Sequence, residues 1–331
     1  MATACATRRT RCPEESSMFK VQSSTFKVQG SRLKHPEPGT RNPELGTRNI
    51  EPGTRNPERV TPGARRLALG VTLVEMIVVI AITGIVAAGV AIFIRRPVEG
   101  YVDAARRAEL SDIADTALRR ITRDLRAALP NSIRVDASGK YIEFLQTSGG
   151  GRYRAELDSG GGGDVLDFTG ADSVFDVIGP VPTVSGGEFL VVYNLGAGSD
   201  PANAYASPPN NNRQAIAGIA GSTVTLSAAK LFPFASPGRR FQVVQYPVTY
   251  ACEGGVLRRY WAYPVSPAQP VPPAGGNSAL LATNVNNATC NFSYATAGAG
   301  GRTGVVALTL EVSQSNETVR LFQQVHVSNV P

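Results

Sequence analysis

The chain has 331 residues, which is long enough for one or two domains with a hydrophobic core. Glycine and proline together exceed one residue in six, a composition that is typical of a turn-rich β domain. The net charge of +7 comes from residues 1–70, which hold 13 Lys and Arg against 6 Asp and Glu. Residues 71–331 hold 20 of each and are formally neutral, so their composition gives no electrostatic reason to expect nucleic-acid binding.

Residues 1–66 are polar and carry a seven-residue repeat instead of a helix or strand pattern. Phe19–Gln22 recurs as Phe26–Gln29, and the tetrapeptide Gly39–Asn42 recurs twice more at the same spacing. The repeated region contains Pro and Gly and lacks the apolar seam of a coiled coil. We interpret it as a repeat translated upstream of the true start, with a start codon such as that of Val60. The alternative is a flexible basic arm.

A run of 24 predominantly apolar residues, Val71–Ile94, contains a single charge, Glu75. A helix of this length spans roughly 36 Å, enough to cross a hydrocarbon layer of about 30 Å. Pairs of arginines flank both ends, and the basic residues of the leader add to the positive charge on the N-terminal side. The sequence therefore predicts one transmembrane helix with a cytoplasmic N-terminus.

The segment Pro97–Leu129 has the pattern of an amphipathic helix, which we expect to end at Pro130. Opposite charges four residues apart, at Asp115–Arg119 and Arg120–Asp124, favour helix formation. If the two parts are continuous, residues 71–129 form a rod of roughly 88 Å. The predicted apolar stripe consists of Leu110, Ile113, Ala117, Ile121, Leu125 and Ala128.

After Asn131 the sequence changes to short β-type runs separated by turns, and we expect a hairpin turn at Glu253–Gly255. The predicted strands are Tyr141–Gln146, Phe189–Tyr193, Thr223–Ser227, Phe241–Gln245, Val248–Cys252, Val256–Trp261, and a hairpin of Val305–Val312 and Thr318–Val327. The predicted surface loops are residues 149–151, 160–163, 208–212 and 264–276. The expected fold class is α+β, with a leader (1–70), a long helix (71–130) and a β-rich head (131–331) in which the helix packs on an antiparallel sheet.

The hexapeptide Gly70-Val71-Thr72-Leu73-Val74-Glu75 opens the apolar run and follows basic residues. This resembles the class III signal of type IV prepilins and pseudopilins. The resemblance implies cleavage between Gly70 and Val71, followed by N-methylation of Val71. It also implies that Glu75 pairs with the freed amine of a neighbouring subunit and so sets the axial register of a filament. The alternatives are a Glu75 that reaches the membrane interface without a role in assembly, and an ordinary single-pass anchor.

Each of these residues has a physical reason for its place. A glycine at position 70 lets the backbone approach a peptidase closely, because it has no Cβ. A carboxylate in the middle of a membrane helix costs about 2.5–3.5 kcal/mol, so Glu75 is expected to find a partner. The partners that the resemblance implies are other pilin or pseudopilin subunits, the prepilin peptidase and methylase, the inner membrane and its assembly platform. The protein would lie in the inner membrane, with its head in the periplasm, and then in the filament.

A narrower resemblance extends to about residue 135, through Arg95–Tyr101, Arg106–Leu110, Leu118–Ile121 and Leu129–Ser132, with a later echo around Cys290–Tyr294. These segments are similar to the O-type minor pilin of mannose-sensitive haemagglutinin (MSHA) pilus biogenesis and to the J-type pseudopilin of type II secretion. The resemblance implies a subunit that initiates or caps a pilus. The alternatives are a subunit at the tip of a type II secretion pseudopilus, and a tip adhesin or DNA-binding module.

Two cysteines, Cys252 and Cys290, form an isolated pair late in the chain. If the head is exported, the pair can oxidise to a disulfide that contributes roughly 3–4 kcal/mol; the alternative is two buried free thiols. No nearby Cys or His supplies the further ligands that a zinc site needs, so we expect no metal at this pair.

Five aspartates surround Gly160–Gly163, namely Asp158, Asp164, Asp167, Asp172 and Asp176. Calcium takes several carboxylates, but the spacing is not that of an EF-hand, and we expect solvated loop carboxylates. His326 lies in a predicted strand, where we expect a structural role, and no nucleophile or phosphate-binding motif is present. We therefore predict neither enzyme activity nor a cofactor. The aromatic residues Tyr260, Trp261 and Tyr263, next to Arg258 and Arg259, fit hairpin packing, with a ligand or DNA-stacking patch as the alternative.

Overall fold

One long helix, α1, runs from Leu73 to Arg126 and continues through Pro97. The computed structural model describes residues 70–296 and 301–331, so the predicted leader before Gly70 lies outside the described residues. The 54 residues of α1 correspond to about 80 Å. The helix ends three residues before the predicted boundary, because the N–H of Leu129 already donates to the carbonyl of Leu145 at 2.8 Å.

The two halves of α1 lie in different surroundings. The side chains from Leu73 to Val102 are exposed almost throughout, whereas one stripe of the second half is buried in the head. The buried apolar residues are Leu110, Ala114, Ala117, Leu118, Ile121 and Leu125. Four of them belong to the predicted stripe, whose other two members, Ile113 and Ala128, are half-buried. Ala114 and Leu118 widen the stripe, so the helix packs through a broader surface than the sequence pattern predicts.

Twelve strands follow α1 among the described residues, and all neighbouring strands pair in the antiparallel direction. The strands are β1 (Arg134–Val135), β2 (Tyr141–Tyr153), β3 (Asp172–Ile178), β4 (Phe189–Val192), β5 (Arg213–Ala220), β6 (Thr223–Lys230), β7 (Arg240–Glu253), β8 (Val256–Trp261), β9 (Asn277–Ala282), β10 (Asn291–Thr296), β11 (Thr303–Gln314) and β12 (Glu317–Ser328). The helix followed by antiparallel sheets confirms the predicted α+β fold class.

The strands form two sheets. The smaller has the order β10-β11-β12, and the larger has the order β1-β2-β3-β6-β5-β4-β7-β8-β9. Because β2 also pairs with β7, six strands close into a ring. Their order around the ring is β2, β3, β6, β5, β4 and β7. A closed ring leaves no unpaired edge among its members.

Strands β2 and β7 are long enough to extend from the region next to α1 into the ring. Tyr141–Gln146 pairs with the second half of β7, near α1, whereas Gly149–Arg152 pairs with the first half of β7, in the ring. The register shifts between Gln146 and Gly149, at the junction of the two parts. The described residues form three hydrophobic cores. The first joins α1, the first half of β2 and the three-stranded sheet, the second fills the ring around Phe175 and Phe241, and a smaller third one lies around Leu145 and Tyr205.

The structure corrects two of the predicted surface loops. In the loop 208–212, Asn211 and Asn212 are buried. Gly149–Gly151 lies inside β2, not in a surface loop. A Cβ at Gly150 would lie 2.7 Å from the carbonyl oxygen of Phe241, and a Cβ at Gly151 would lie 2.8 Å from the ring of Phe241. Glycines inside a strand often mark such a close approach. These glycines therefore allow the ring to close tightly against β7.

The two predicted hairpin turns are present. Gly254 and Gly255 connect β7 to β8 with φ angles of 57° and 79°. Ser315 and Asn316 connect β11 to β12 with φ angles of 48° and 66°, so both turns use the left-handed conformations of tight hairpins. The two strands predicted on either side of Pro247 are one strand, β7. Strands β1, β3, β5, β9 and β10 were not predicted.

Candidate processing and assembly site

The predicted cleavage position lies directly before α1. Gly70 and Val71 are exposed and non-helical, and Thr72 has an extended conformation. A Cβ added at Gly70 would meet no atom of residues 70–296 and 301–331 within 4 Å, and the residue has no positive φ. In the part of the chain that the structure describes, neither packing nor backbone conformation therefore requires glycine at position 70.

Glu75 lies in the first turn of α1, where a carboxylate interacts favourably with the helix dipole. The Thr72 hydroxyl accepts a hydrogen bond from the Glu75 N–H at 3.2 Å and caps the helix. Thr72 and Glu75 have the spacing of a capping box, and this bond is the half that Thr72 supplies. The side chain of Glu75 is exposed and forms no ion pair within residues 70–296 and 301–331.

The exposed half of α1 is apolar. Among the described residues, α1 is the one helix that is long and apolar enough to cross a membrane. None of its most apolar stretch is buried by the chain itself. The exposed large side chains of the half include Leu73, Ile77, Ile80, Ile85, Val90, Ile92 and Phe93. Such a surface needs cover from lipid or from other helices, and it fits membrane anchoring.

A buried polar cluster fixes the other half of α1 to the head. Oδ2 of Asp124 accepts hydrogen bonds from Nε of Arg259 at 2.9 Å and from the Tyr250 hydroxyl at 2.7 Å. Its Oδ1 lies 3.3 Å from Nε of Arg120, the predicted helix pair. Burial, and then the charge of Asp124, raise the pKa of the Tyr250 hydroxyl, which stays a neutral donor. The guanidinium of Arg259 also stacks over Trp261, 4.9 Å from the ring centre.

The helical spacing predicts Arg120 as the partner of Asp124 and does not predict the other two. No local pattern shows that strands β7 and β8 bring Tyr250 and Arg259 to the same carboxylate. Arg259 is 7 % exposed and Trp261 is half-buried, so this part of the aromatic and arginine group packs internally. The hydroxyl of Tyr260 bonds to Glu253 instead.

A second buried pair lies on the opposite side of the same sheet region. Glu143 is fully buried, and its carboxylate accepts hydrogen bonds from Nε of Arg134 at 2.8 Å and from the Tyr263 hydroxyl at 3.1 Å. Burial raises the pKa of Glu143 despite the opposing effect of Arg134. Arg134 also donates to the carbonyls of Ser266 and Pro267. The pair therefore ties the 264–276 loop to the head.

The two cysteines of the head come together in the structure. Cys252, at the end of β7, is bonded to Cys290, just before β10, with their Cα atoms 6.4 Å apart. Both are buried in the core that contains α1. Cys252 belongs to a strand of the larger sheet, and Cys290 directly precedes a strand of the smaller one. The bond therefore links the two sheets covalently. That it forms in the exported protein stays a prediction.

The aspartates around Gly160–Gly163 are not arranged as metal ligands. Within residues 70–296 and 301–331, no group of three or more His, Cys, Asp or Glu side chains is placed to hold an ion. Asp158 pairs with Arg154, and Asp176 accepts hydrogen bonds from the Thr223 hydroxyl and the Asp164 N–H. These bonds fold the loop onto the ring. His326 is exposed on β12.

The family model for the prokaryotic N-terminal methylation motif matches residues 65–91. The match includes Gly70, Val71, Glu75 and most of the apolar run. It supports a type IV pilin-like family and indicates a subunit of pilin or pseudopilin type. Such a motif implies processing by a prepilin peptidase and assembly with other pilins. No curated protein and no solved structure matches the chain.

Proposed function

We propose that the chain is a minor subunit of a type IV pilus of the MSHA kind, which initiates or caps the filament. One observation carries this proposal: the methylation motif opens an exposed apolar helix whose second half forms part of the core of the β head. The similarity of residues 95–135 to O-type minor pilins supports the narrower assignment. A head with twelve strands among its described residues is large, which favours a terminal position over repeated use along the filament.

The first step is insertion with the leader in the cytoplasm and the head in the periplasm. The prepilin peptidase then cuts between Gly70 and Val71, and the new amine of Val71 is methylated. No contact among the described residues requires glycine at position 70, which supports recognition by the peptidase as the reason for this residue. The segment is exposed and precedes α1, so a peptidase can bind it in an extended conformation.

In the second step the exposed half of α1 leaves the bilayer and packs among the helices of other subunits. Contacts with apolar side chains then replace contacts with lipid. Glu75 would be costly in such a dry environment without a partner. Pairing with the amine of a neighbouring subunit offsets this cost and makes addition selective for one axial position.

Variants at Glu75 and Thr72 test the pairing. Glu75→Gln keeps a residue that suits the capping position but removes the charge, whereas Glu75→Val removes both. Both variants are expected to insert and be cleaved normally, yet to be lost from sheared filaments. Thr72→Ala, which removes the cap but keeps the charge, is the control and is expected to be incorporated. Normal incorporation of Glu75→Gln would show that the ion pair does not direct assembly.

A role at the tip of a type II secretion pseudopilus is the second candidate, favoured by the similarity to the J-type pseudopilin. Deletion of the gene distinguishes the two roles. Loss of surface pili with normal protein secretion supports the pilus. Loss of secretion with normal pili supports the pseudopilus.

A further inference from the structure

Strand β12 lies at one edge of the three-stranded sheet and pairs with β11 alone within residues 70–296 and 301–331. Its twelve residues pair without a register shift and include neither proline nor lysine. In the same part of the chain, no backbone hydrogen bond joins β12 to any segment other than β11. Proteins usually protect a long edge strand with lysine, proline or a bulge, or cover it with another element. Since β12 has none of the first three, we expect a partner to cover its outer edge.

The second half of α1 runs beside this strand. Arg107 on α1 pairs with Glu317, the first residue of β12, at 3.1 Å. Further along, Arg119 on α1 and Gln323 on β12 line one groove. From Arg107 to Arg119 the helix rises about 18 Å, and from Glu317 to Gln323 the strand rises about 20 Å. The helix and the strand therefore run side by side in the same direction, with the groove between them.

The groove has a volume of about 520 Å³ and is basic. Arg119, Arg123 and Arg126 are spaced four and three residues apart, so they lie on one face of α1, and all three are exposed. Arg119 pairs with Asp115 at 2.6 Å. Arg123 and Arg126 form no ion pair within the described residues 70–296 and 301–331. The groove therefore favours an occupant that carries carboxylates, which match the planar fork of a guanidinium.

The two faces of β12 indicate the side chains that such an occupant presents. Gln323 lies between Leu321 and Val325, which pack on the core that contains α1, so this face of the strand is turned toward the helix. Phe322 lies on the opposite face and is 61 % exposed. A strand added to the edge would turn alternate side chains toward the arginines and toward Phe322. Acidic and apolar residues that alternate along the segment match both faces.

The position of the groove argues against two other occupants. Along the helix, Arg119 lies about 37 Å beyond Ile94, the end of the predicted membrane run. The surface potential of a membrane falls off within about 10 Å, so lipid head groups are too distant. Two β12 strands paired antiparallel about a two-fold axis would turn both sets of arginines to one face and point the two membrane helices in opposite directions. A segment from a different subunit meets neither obstacle.

We infer that the outer edge of β12 pairs with an extended acidic segment of a neighbouring subunit, whose carboxylates contact Arg123 and Arg126. The backbone of the segment continues the three-stranded sheet, and its charge gives the pairing its selectivity. The source of the segment rests on the proposed function, because it requires a filament. The binding of such a segment to the edge does not.

Calorimetry on the detergent-solubilised full chain tests the binding. The probe is a short capped peptide in which valine and glutamate alternate. Three other probes are compared with it: the same peptide with lysine for glutamate, the acidic peptide with alternate backbone nitrogens methylated, and a single-stranded oligothymidylate. The unmodified acidic peptide is expected to bind more tightly than all three. The double variant Arg123→Gln and Arg126→Gln is expected to weaken its binding roughly tenfold, because two charged donors are lost.

Arg239→Gln is the matched control, since Arg239 is an exposed arginine paired with Glu156 outside the groove, and it is expected to leave the affinity unchanged. Thermal unfolding establishes that each variant is folded. Equal binding of the acidic and lysine peptides would overturn the inference. So would full affinity of the methylated peptide or of the double variant, tighter binding of the oligothymidylate, or the absence of binding by the acidic peptide.

Photo-cross-linking tests the source of the segment. With p-benzoylphenylalanine in place of Gln323, sheared filaments are expected to yield a cross-link to an acidic segment of another subunit. Cross-links only within the chain, or only to segments without acidic residues, would contradict a neighbouring subunit as the source. Peptide binding by a chain that is absent from filaments would contradict both this source and the proposed function, while supporting the chemistry of the edge.

Discussion

The carboxylate of Asp124 on α1 and the guanidinium of Arg259 on β8 form a buried ion pair at 2.9 Å, although the two residues are 135 positions apart. Tyr250 on β7 donates to the same carboxylate oxygen. A buried pair of this kind is costly to break, because each partner left alone keeps an uncompensated charge or polar group. The cluster therefore fixes one position of α1 relative to strands β7 and β8 of the head.

Asp124→Ala is expected to lower the free energy of unfolding by about 3–5 kcal/mol, since it leaves Arg259 buried and unpaired. Asp115→Ala is the matched control, as Asp115 lies on the same helix and pairs with Arg119 at 2.6 Å on the surface. That change is expected to cost less than about 1 kcal/mol. Denaturant unfolding of the solubilised proteins measures both values, and equal losses would contradict the structural role of Asp124.

The head depends on α1 for its core. Burying a Leu or Ile side chain contributes about 1.5–3 kcal/mol, so Leu110, Leu118, Ile121 and Leu125 together contribute roughly 6–12 kcal/mol. That sum is comparable with the whole stability of a domain, about 5–15 kcal/mol. A chain of residues 131–331 is therefore expected not to fold, whereas a chain of residues 103–331 is expected to be folded and soluble.

Circular dichroism and gel filtration of the two truncated chains provide the measurement. The longer chain lacks the exposed apolar half of α1 but keeps the buried stripe. A cooperative thermal transition in the shorter chain would show that the helix is not needed for the core.

The Cys252–Cys290 bond closes a loop of 38 positions. In the chain-entropy model a loop of this size stabilises the folded state by about 3–4 kcal/mol. Replacement of both cysteines by serine is expected to lower the free energy of unfolding by about that amount. A reductant is expected to lower the free energy of unfolding of the unaltered chain equally, and to leave that of the serine variant unchanged. An unchanged midpoint in reductant would indicate that the bond is not formed in the exported protein.

The pKa of Asp176 is lowered from its ordinary value of 3.8, because the Asp164 N–H and the Thr223 hydroxyl donate hydrogen bonds to its carboxylate. A lowered folded-state pKa gives stability that is present above the unfolded value and is lost as the pH falls through the folded value. Asp176→Asn is therefore expected to destabilise the chain more at about pH 6 than at about pH 2. Urea unfolding at the two pH values checks this, and a loss that does not change with pH would contradict it.

The sequence allowed prediction of those elements whose pattern is local. The apolar run, the helical stripe, the strand Val256–Trp261 and both tight turns have clear periodicity or turn residues, and they are present. The i,i+4 pair Asp115–Arg119 and the pair Arg120–Asp124 are also present. Their partners lie within a few residues, so the interaction is visible in the sequence itself.

The elements that were not predicted depend on distant contacts. Strand β5 consists mainly of Ala, Gly, Ile and Gln, and becomes a strand because β4 and β6 pair with it on both sides. Gly149–Gly151 has a loop composition but forms part of β2, because β7 lies against it. The closure of the ring joins Arg152 to Arg240, and no local pattern records a pairing of that separation.

The most direct test of the account is the N-terminus of the mature protein. Mass spectrometry of the chain purified from sheared filaments is expected to show N-methylated Val71 as the first residue. A filament-incorporated chain that still carries residues on the N-terminal side of Val71 would contradict cleavage at Gly70, and with it the pairing that we assign to Glu75.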